Sequence, residues 1–167
     1  MANVWFLGDL HLDHKNICNF RPQFESVEHH NQTIKDNYHK VVTKRDKVYF
    51  MGDVAFSKEM LKDVKTWTAA AKVLIVGNHD LERGVTMKDL CNVFDEVYSF
   101  VKYKEFWLSH CPIHPDELRG KKNIHGHCHY KNIDDSRYFN TSMENIGYAP
   151  IDLTNLRSII HSKDEVL

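Results

Sequence analysis

The chain has 167 residues, 42% hydrophobic and 11% aromatic, enough for one domain with a substantial core. Lysine and arginine number 22 and aspartate and glutamate 23, a net charge of −1, which excludes a general electrostatic pull toward nucleic acid or anionic membrane. Apolar runs such as KVLIVG are far too short to span a bilayer, MANVWFLGDLH has no secretory pattern, and the four scattered cysteines suit reduced thiols, so a cytoplasmic location is expected.

Three segments share one design, an apolar β-rich run ending in glycine and a polar, metal-competent residue: VWFLGDLH, KVYFMGDV and KVLIVGNHD. Each reads as a buried strand. Between them, SVEHHNQTIKDNYHKVV and SKEMLKDVKTWTAAA carry the spaced apolar residues of amphipathic helices, with Ser57 an N-cap for the second. The β-α-β-α-β order implies right-handed crossovers and a parallel sheet. Further on, EVYSFVKYKEFWLSH suggests two strands joined near Lys102 to Glu105, and KKNIHGHCH and RYFNTS one strand each. LTNLRSIIHS suggests a closing helix capped by Thr154, and SKDEVL a soluble tail. Nothing marks an internal domain boundary, so residues 1–167 are taken as a single domain.

Ligands of open α/β sheets bind beyond the carboxyl ends of the strands. The strand tips offer Asp9 and His11, Asp53, Asn78 and His79, His110, and His127 and His129. On a strand, Asp-x-His and His-Cys-His each aim two ligands to one side. This mixed oxygen and nitrogen set exceeds the four donors of a structural zinc and suits two ions. Two ions close together serve in-line displacement at phosphorus, with a nearby histidine protonating the leaving oxygen.

The ordered blocks GDLH, GDV, GNHD, LSH and HGHCH, from residue 8 to residue 129, resemble the calcineurin-like metallophosphoesterase superfamily, in particular its small, uncapped bacterial and bacteriophage members. The resemblance implies a four-layer α-β-β-α sandwich with mixed sheets, the second sheet built from strands after about residue 95. It implies that Asp9, His11 and His129 hold one metal, that Asp53 bridges, and that Asn78, His110 and His127 hold the other. His79 would be the general acid or transition-state stabiliser, with Asp80 orienting it. The expected activity is hydrolysis of phosphodiester bonds by a metal-bridging hydroxide. Manganese is favoured by the resemblance, and Zn²⁺, Fe²⁺ or Ni²⁺ also suit the donors.

Blander readings compete residue by residue. Asp9, Asp53 and Asn78 each suit a turn after glycine, and His110 after FWL suits a hydrogen-bonded core position; the ordered set favours ligands. Cys111 and Cys128 are expected to be buried thiols, and His125 to support the ligands from behind or serve structure. His14 and Arg119 are candidate substrate contacts, while Lys121 and Lys122 read as solvated. His29, His30, His39 and His161 read as surface residues. No cap is evident between Asp80 and Ser109, so an open site would accept a small or extended phosphoester, nucleotide or nucleic-acid derived in one version. A phosphomonoesterase or nuclease could use the same site. Two alternatives are not enzymes: a silent scaffold, which would be expected to lose His79 or several ligands, and a structural protein holding one zinc at HGHCH. Oligomeric state is not legible.

Overall fold

A computed structural model describes residues 1–164. Its elements in chain order are β1 (Val4–Leu7), α1 (Ile17–Phe20), α2 (Val27–Val41), β2 (Lys47–Phe50), α3 (Lys58–Lys65), β3 (Ala71–Ile75), α4 (Met87–Val93), β4 (Glu96–Tyr98), β5 (Phe100–Tyr103), β6 (Phe106–Ser109), β7 (Lys122–His125), β8 (Tyr138–Asn140), β9 (Ile151–Asp152) and α5 (Leu153–Asp164). The first sheet has the order β4-β3-β2-β1-β9, parallel except for β9. The second has the order β5-β6-β7-β8, antiparallel between β5 and β6 and parallel beyond. Both sheets are therefore mixed, and with the helices they form an α/β sandwich.

Strand alternation explains the unbroken apolar runs. Phe6, Tyr49 and Val73 lie side by side in register and enter the cluster shared with Phe106, Leu108 and Ile124 of the second sheet. Their neighbours Leu7, Phe50 and Leu74 point the other way, to Ile34, Tyr38, Leu61, Val64 and Leu90 of α2, α3 and α4. Both faces of the first sheet are thus covered, each buried large side chain contributing about 1.5–3 kcal/mol. The last helix, α5, adds Leu156 and Ile160 to the cluster between the sheets.

Several expected elements end elsewhere. The helix expected over SKEMLKDVKTWTAAA begins as expected, with Ser57 Oγ accepting from the Met60 N–H, but stops at Lys65. There the buried Lys72 of β3 donates to the carbonyls of Val64, Lys65 and Trp67, supplying the positive charge a helix C-terminus favours. The run EVYSFVKY breaks at Ser99, so that β4 pairs with β3 in the first sheet and β5 opens the second. Asp152, not Thr154, caps α5, its Oδ1 accepting from the N–H groups of Thr154 and Asn155. Two helices were not anticipated: α1, and α4, which opens with a reciprocal capping box between Thr86 and Asp89. Of the expected tail, Ser162 to Asp164 belong to α5, and Glu165 to Leu167 lie outside the described residues. Among the described residues no helix is long and apolar enough to cross a membrane.

Candidate metal centre

The strands stop short of the residues they deliver: β1 at Leu7, β2 at Phe50, β3 at Ile75, β6 at Ser109 and β7 at His125. Strand alternation therefore does not aim the ligands. Asp9 (φ 54°), His11 (51°), Asp53 (54°), His127 (67°) and His129 (49°) all occupy the left-handed region. For a non-glycine residue that conformation costs of order 1–3 kcal/mol, and it persists only where the surroundings over-determine it. Here hydrogen bonds zip the turns together. Asp9 N–H donates to the Gly52 carbonyl at 2.9 Å, His11 N–H to Asp53 at 3.0 Å, and His127 N–H to Asp9 Oδ2 at 2.8 Å. Two motif glycines have a steric reason. A Cβ on Gly52 would strike the His110 ring, and one on Gly126 would lie 2.5 Å from Asp9 Oδ2.

Two triads result. Ligand atoms of Asp9, His11 and His129 lie within 4.8 Å of one another, as do those of Asp53, His110 and His127. Asn78 joins the second, its Oδ1 3.0 Å from both His110 Nε2 and His127 Nδ1. Asp53 Oδ2 faces both triads, 3.6 Å from His11 Nε2 and 3.3 Å from His110 Nε2. Each carboxylate has one oxygen secured by the turns and the other facing the histidines. Asp9 Oδ2 accepts from the His127 N–H and from the Ser142 hydroxyl, and Asp53 Oδ1 from the His79 N–H. Asp9 Oδ1 and His11 Nε2 are buried without a hydrogen-bond partner. Unpaired buried acceptors are expensive unless something electropositive sits among them, so the donor set fits divalent cations. In the ion-free protein, burial opposes protonation of His110, but Asp53 and Asp9 outweigh it and carry the imidazole up to about 9. Burial would raise the Asp53 carboxyl, but His11 and His110 prevail and hold it well below the usual range.

Behind the first triad lies an arrangement that no motif announced. Arg21, immediately after α1, is completely buried. Its Nε and one terminal nitrogen bind Glu144 Oε1 at 2.9 Å, and its remaining N–H groups reach the carbonyls of Asp9 (2.6 Å) and Leu10 (3.1 Å) and His30 Nε2 (2.8 Å). Glu144 Oε1 in turn lies 3.1 Å from His129 Nδ1, leaving His129 Nε2 toward the centre. A carboxylate behind a histidine ligand fixes its tautomer and ring orientation. Burial would raise Glu144, but His129 and Arg21 hold it down to about 2. Arg21 thus braces the Asp9 turn directly and His129 through Glu144. Only the folded chain brings these residues together, across more than a hundred positions.

The other expected residues fall as follows. His79 sits beside the first triad, its ring centroid 5.8 Å from His11. Its Nδ1 faces Glu82 Oε1 at 3.0 Å, and Asp80 does not orient it. The buried Asp80 carboxylate instead accepts from the N–H groups of Gly77, Asp53 and Val54, tying two turns together; burial carries it up to about 6. His14 lines a cavity with His11, His79 and His129. Arg119 is not brought to the centre: it pairs with Glu117 at 3.0 Å on an exposed turn. Cys111 is exposed and Cys128 half-buried, both contrary to expectation, because each lies in a loop past the end of its strand. His30 is buried rather than on the surface, since α2 turns it toward Arg21. His125 is buried behind the ligands with Nδ1 against the Gly126 carbonyl.

No protein-family model matches this sequence. It is 31% identical to the uncharacterized protein MJ1445 of Methanocaldococcus jannaschii over 96% of this chain and 92% of that one. Gene 66 proteins of mycobacteriophages L5 and D29 are 36% and 31% identical over 48% of this chain and 41% of theirs. The crystal structure of AQ665 from Aquifex aeolicus, a protein of unknown function, superposes with a TM-score of 0.74 at 26% identity, covering 95% of this chain and all of that one. The chain belongs to the family of MJ1445.

Proposed function

We propose that this member of the MJ1445 family is a dinuclear metal-dependent phosphoesterase of the calcineurin-like metallophosphoesterase kind, acting on phosphodiesters. The observation that carries the reading is the pair of three-residue clusters, each within 4.8 Å, with one Asp53 oxygen facing both. Asp9, His11 and His129 would hold one ion, Asn78, His110 and His127 the other, and Asp53 both. Two such ions, when bound, supply an activated water near neutral pH and positive charge for the phosphate oxygens. The remaining chemistry falls to the chain. His79, half-buried at the edge of the first triad, donates the proton that the leaving oxygen needs. The backbone N–H of the same residue holds the far oxygen of Asp53, which couples the acid to the shared ligand.

Hollows on either side favour a diester over a monoester. One of about 340 Å³ adjoins His11 and His129, and one of about 520 Å³ adjoins Asn78 and His110. A monoester would leave one of them without use. The four-layer sandwich belongs to the same reading, supported by a helix layer on one face of the first sheet and the second sheet on its other face. A cytoplasmic setting is supported by four free cysteines. The test is metal counting together with hydrolysis of phosphomonoesters, cyclic nucleotides, dinucleotides and short RNA or DNA, with Mn²⁺ compared with Zn²⁺, Fe²⁺ and Ni²⁺. Two ions per chain and faster diester hydrolysis are expected. One ion without hydrolysis of either ester class would defeat the proposal.

A further inference from the structure

The 340 Å³ cavity beside the first triad has a chemistry of its own. Its walls come from His11, His14 and His79 on one side, Ile17 and Phe20 of α1, and His129, Tyr130 and Glu144. Phe20 and Tyr130 are large aromatic side chains left 64% and 62% exposed, and the Tyr130 hydroxyl donates to the Phe20 carbonyl at 3.3 Å, joining the end of α1 to a distant turn at the rim. Neither ring is needed by the cores of the fold. Paired at the mouth of a cavity, such rings offer flat apolar surface for stacking. Glu144 adds a polar element. Its Oε1 is occupied by Arg21 and His129, whereas Oε2 is buried with no partner, on a side chain only 2% exposed. That oxygen calls for an N–H or O–H donor and repels an anion. Among the lining residues there is no lysine or arginine to receive a further phosphate or carboxylate. The volume is near the lower limit of roughly 300–1,000 Å³ for small-molecule sites, which suits one ring system better than a chain of them.

We infer that this cavity receives the leaving alcohol of the substrate, and that this alcohol carries a flat ring with a hydrogen-bond donor and no negative charge, the chemistry common to a nucleoside and an amino- or hydroxy-substituted aryl group. The inference rests on the phosphoesterase reading for the word leaving: His79, the proton donor of that reading, lines this cavity and not the larger hollow. The ring stacks on Phe20 and Tyr130 and its donor meets Glu144 Oε2. The other ester substituent lies toward Phe100 and Ile113, on the far side of the centre.

The decisive experiment has a binding arm that needs no turnover. Ring resonances of Phe20 and Tyr130 in the metal-free protein are followed by NMR during titration with 4-aminobenzyl alcohol, adenosine, benzyl alcohol and cyclohexylmethanol. Both ring-plus-donor probes should shift these resonances and saturate at lower concentration than benzyl alcohol, and benzyl alcohol lower than cyclohexylmethanol. Phe20→Ala and Tyr130→Ala, both at exposed positions, should each weaken binding of the flat probes by about 2- to 10-fold. Response to the aryl probe alone would assign a simple aryl group, and response to both would admit a nucleoside. Equal affinity for cyclohexylmethanol, or unchanged binding in both variants, would overturn the inference. In a second arm, methyl 4-aminobenzyl phosphate and methyl cyclohexylmethyl phosphate are compared on the Mn²⁺-loaded protein. The native preference in kcat/KM for the aryl ester should collapse toward one in either variant. A loaded protein that hydrolyses neither ester would sink the phosphoesterase reading, while the binding arm still decides for or against the cavity.

Discussion

Replacing Arg21 with methionine tests whether the first triad is built on a buried ion pair. Arg21 is completely buried, and its Nε and terminal nitrogens serve Glu144, His30 and the carbonyls of Asp9 and Leu10, which accounts for all the donors a guanidinium has. The substitution strands the Glu144 carboxylate, whose side chain is only 2% exposed, together with both carbonyls. Removing one partner of a buried ion pair costs about 3–5 kcal/mol, a large part of a typical stability of about 5–15 kcal/mol. With a urea slope of about 2 kcal/mol per molar, the unfolding midpoint of the metal-free protein should fall by about 2 M. The same change loosens the Asp9 turn and His129, so affinity for the ion at the first triad should fall about 10- to 100-fold while the second triad is spared. The double replacement Arg21→Met with Glu144→Leu separates the two effects. Removing both charges should recover the part of the midpoint lost to the stranded carboxylate, because an apolar pair leaves no unpaired buried charge, but the Asp9 and Leu10 carbonyls stay unpaired, His129 still lacks its acceptor and the first ion should stay weak. Urea unfolding and calorimetric metal titration measure both. A midpoint change below about 0.5 M in the single variant, or native ion affinity in the double, would refute the bracing role.

Other consequences can be checked separately. His79→Ala should lose on the order of 10²–10⁴ in rate and keep both ions; normal turnover would remove this residue from the proton transfer. Asp53→Ala should reduce metal content, because one of its oxygens faces both triads, and unchanged loading would contradict a shared ligand. Burial, with Arg21 beside it, holds His30 down to about 4 against 6.5 for a free imidazole. Between these values the unfolded chain takes up a proton that the folded one refuses, so this contribution to stability is complete above pH 6.5 and is lost as pH falls toward 4. His30→Gln should flatten that part of the urea-midpoint profile while leaving Arg21 an acceptor; an identical pH profile would argue against it. Gly126→Ala places a Cβ 2.5 Å from Asp9 Oδ2 and should weaken the first ion, which a native-like metal titration would disprove.

Much of the molecule was legible because it follows local rules. The strands β1, β2 and β3 announced themselves as apolar runs because the first sheet is buried on both faces, and Ser57 caps α3 through its hydroxyl as expected. Position just past a strand end marked the donors as a convergent set, and their division into Asp9 with His11 and His129, and Asp53 with Asn78, His110 and His127, followed from the family resemblance that the ordered motifs carry. The means of aiming them could not. Alternation was a fair expectation, but the left-handed turns that orient Asp9, His11, Asp53, His127 and His129 depend on hydrogen bonds between different turns. The failed expectation for Asp80 has the same origin: its chain neighbour is His79, but its carboxylate is spent on the turn holding Asp53.

The sequence by itself determined which residues could ligate, because donor chemistry and position after a strand are local properties of the chain. The tertiary structure decided what holds those ligands and what borders them. Arg21, Glu144, Phe20 and Tyr130 belong to no motif; a buried guanidinium is tolerable, and an exposed pair of rings becomes a cavity wall, only where distant segments meet.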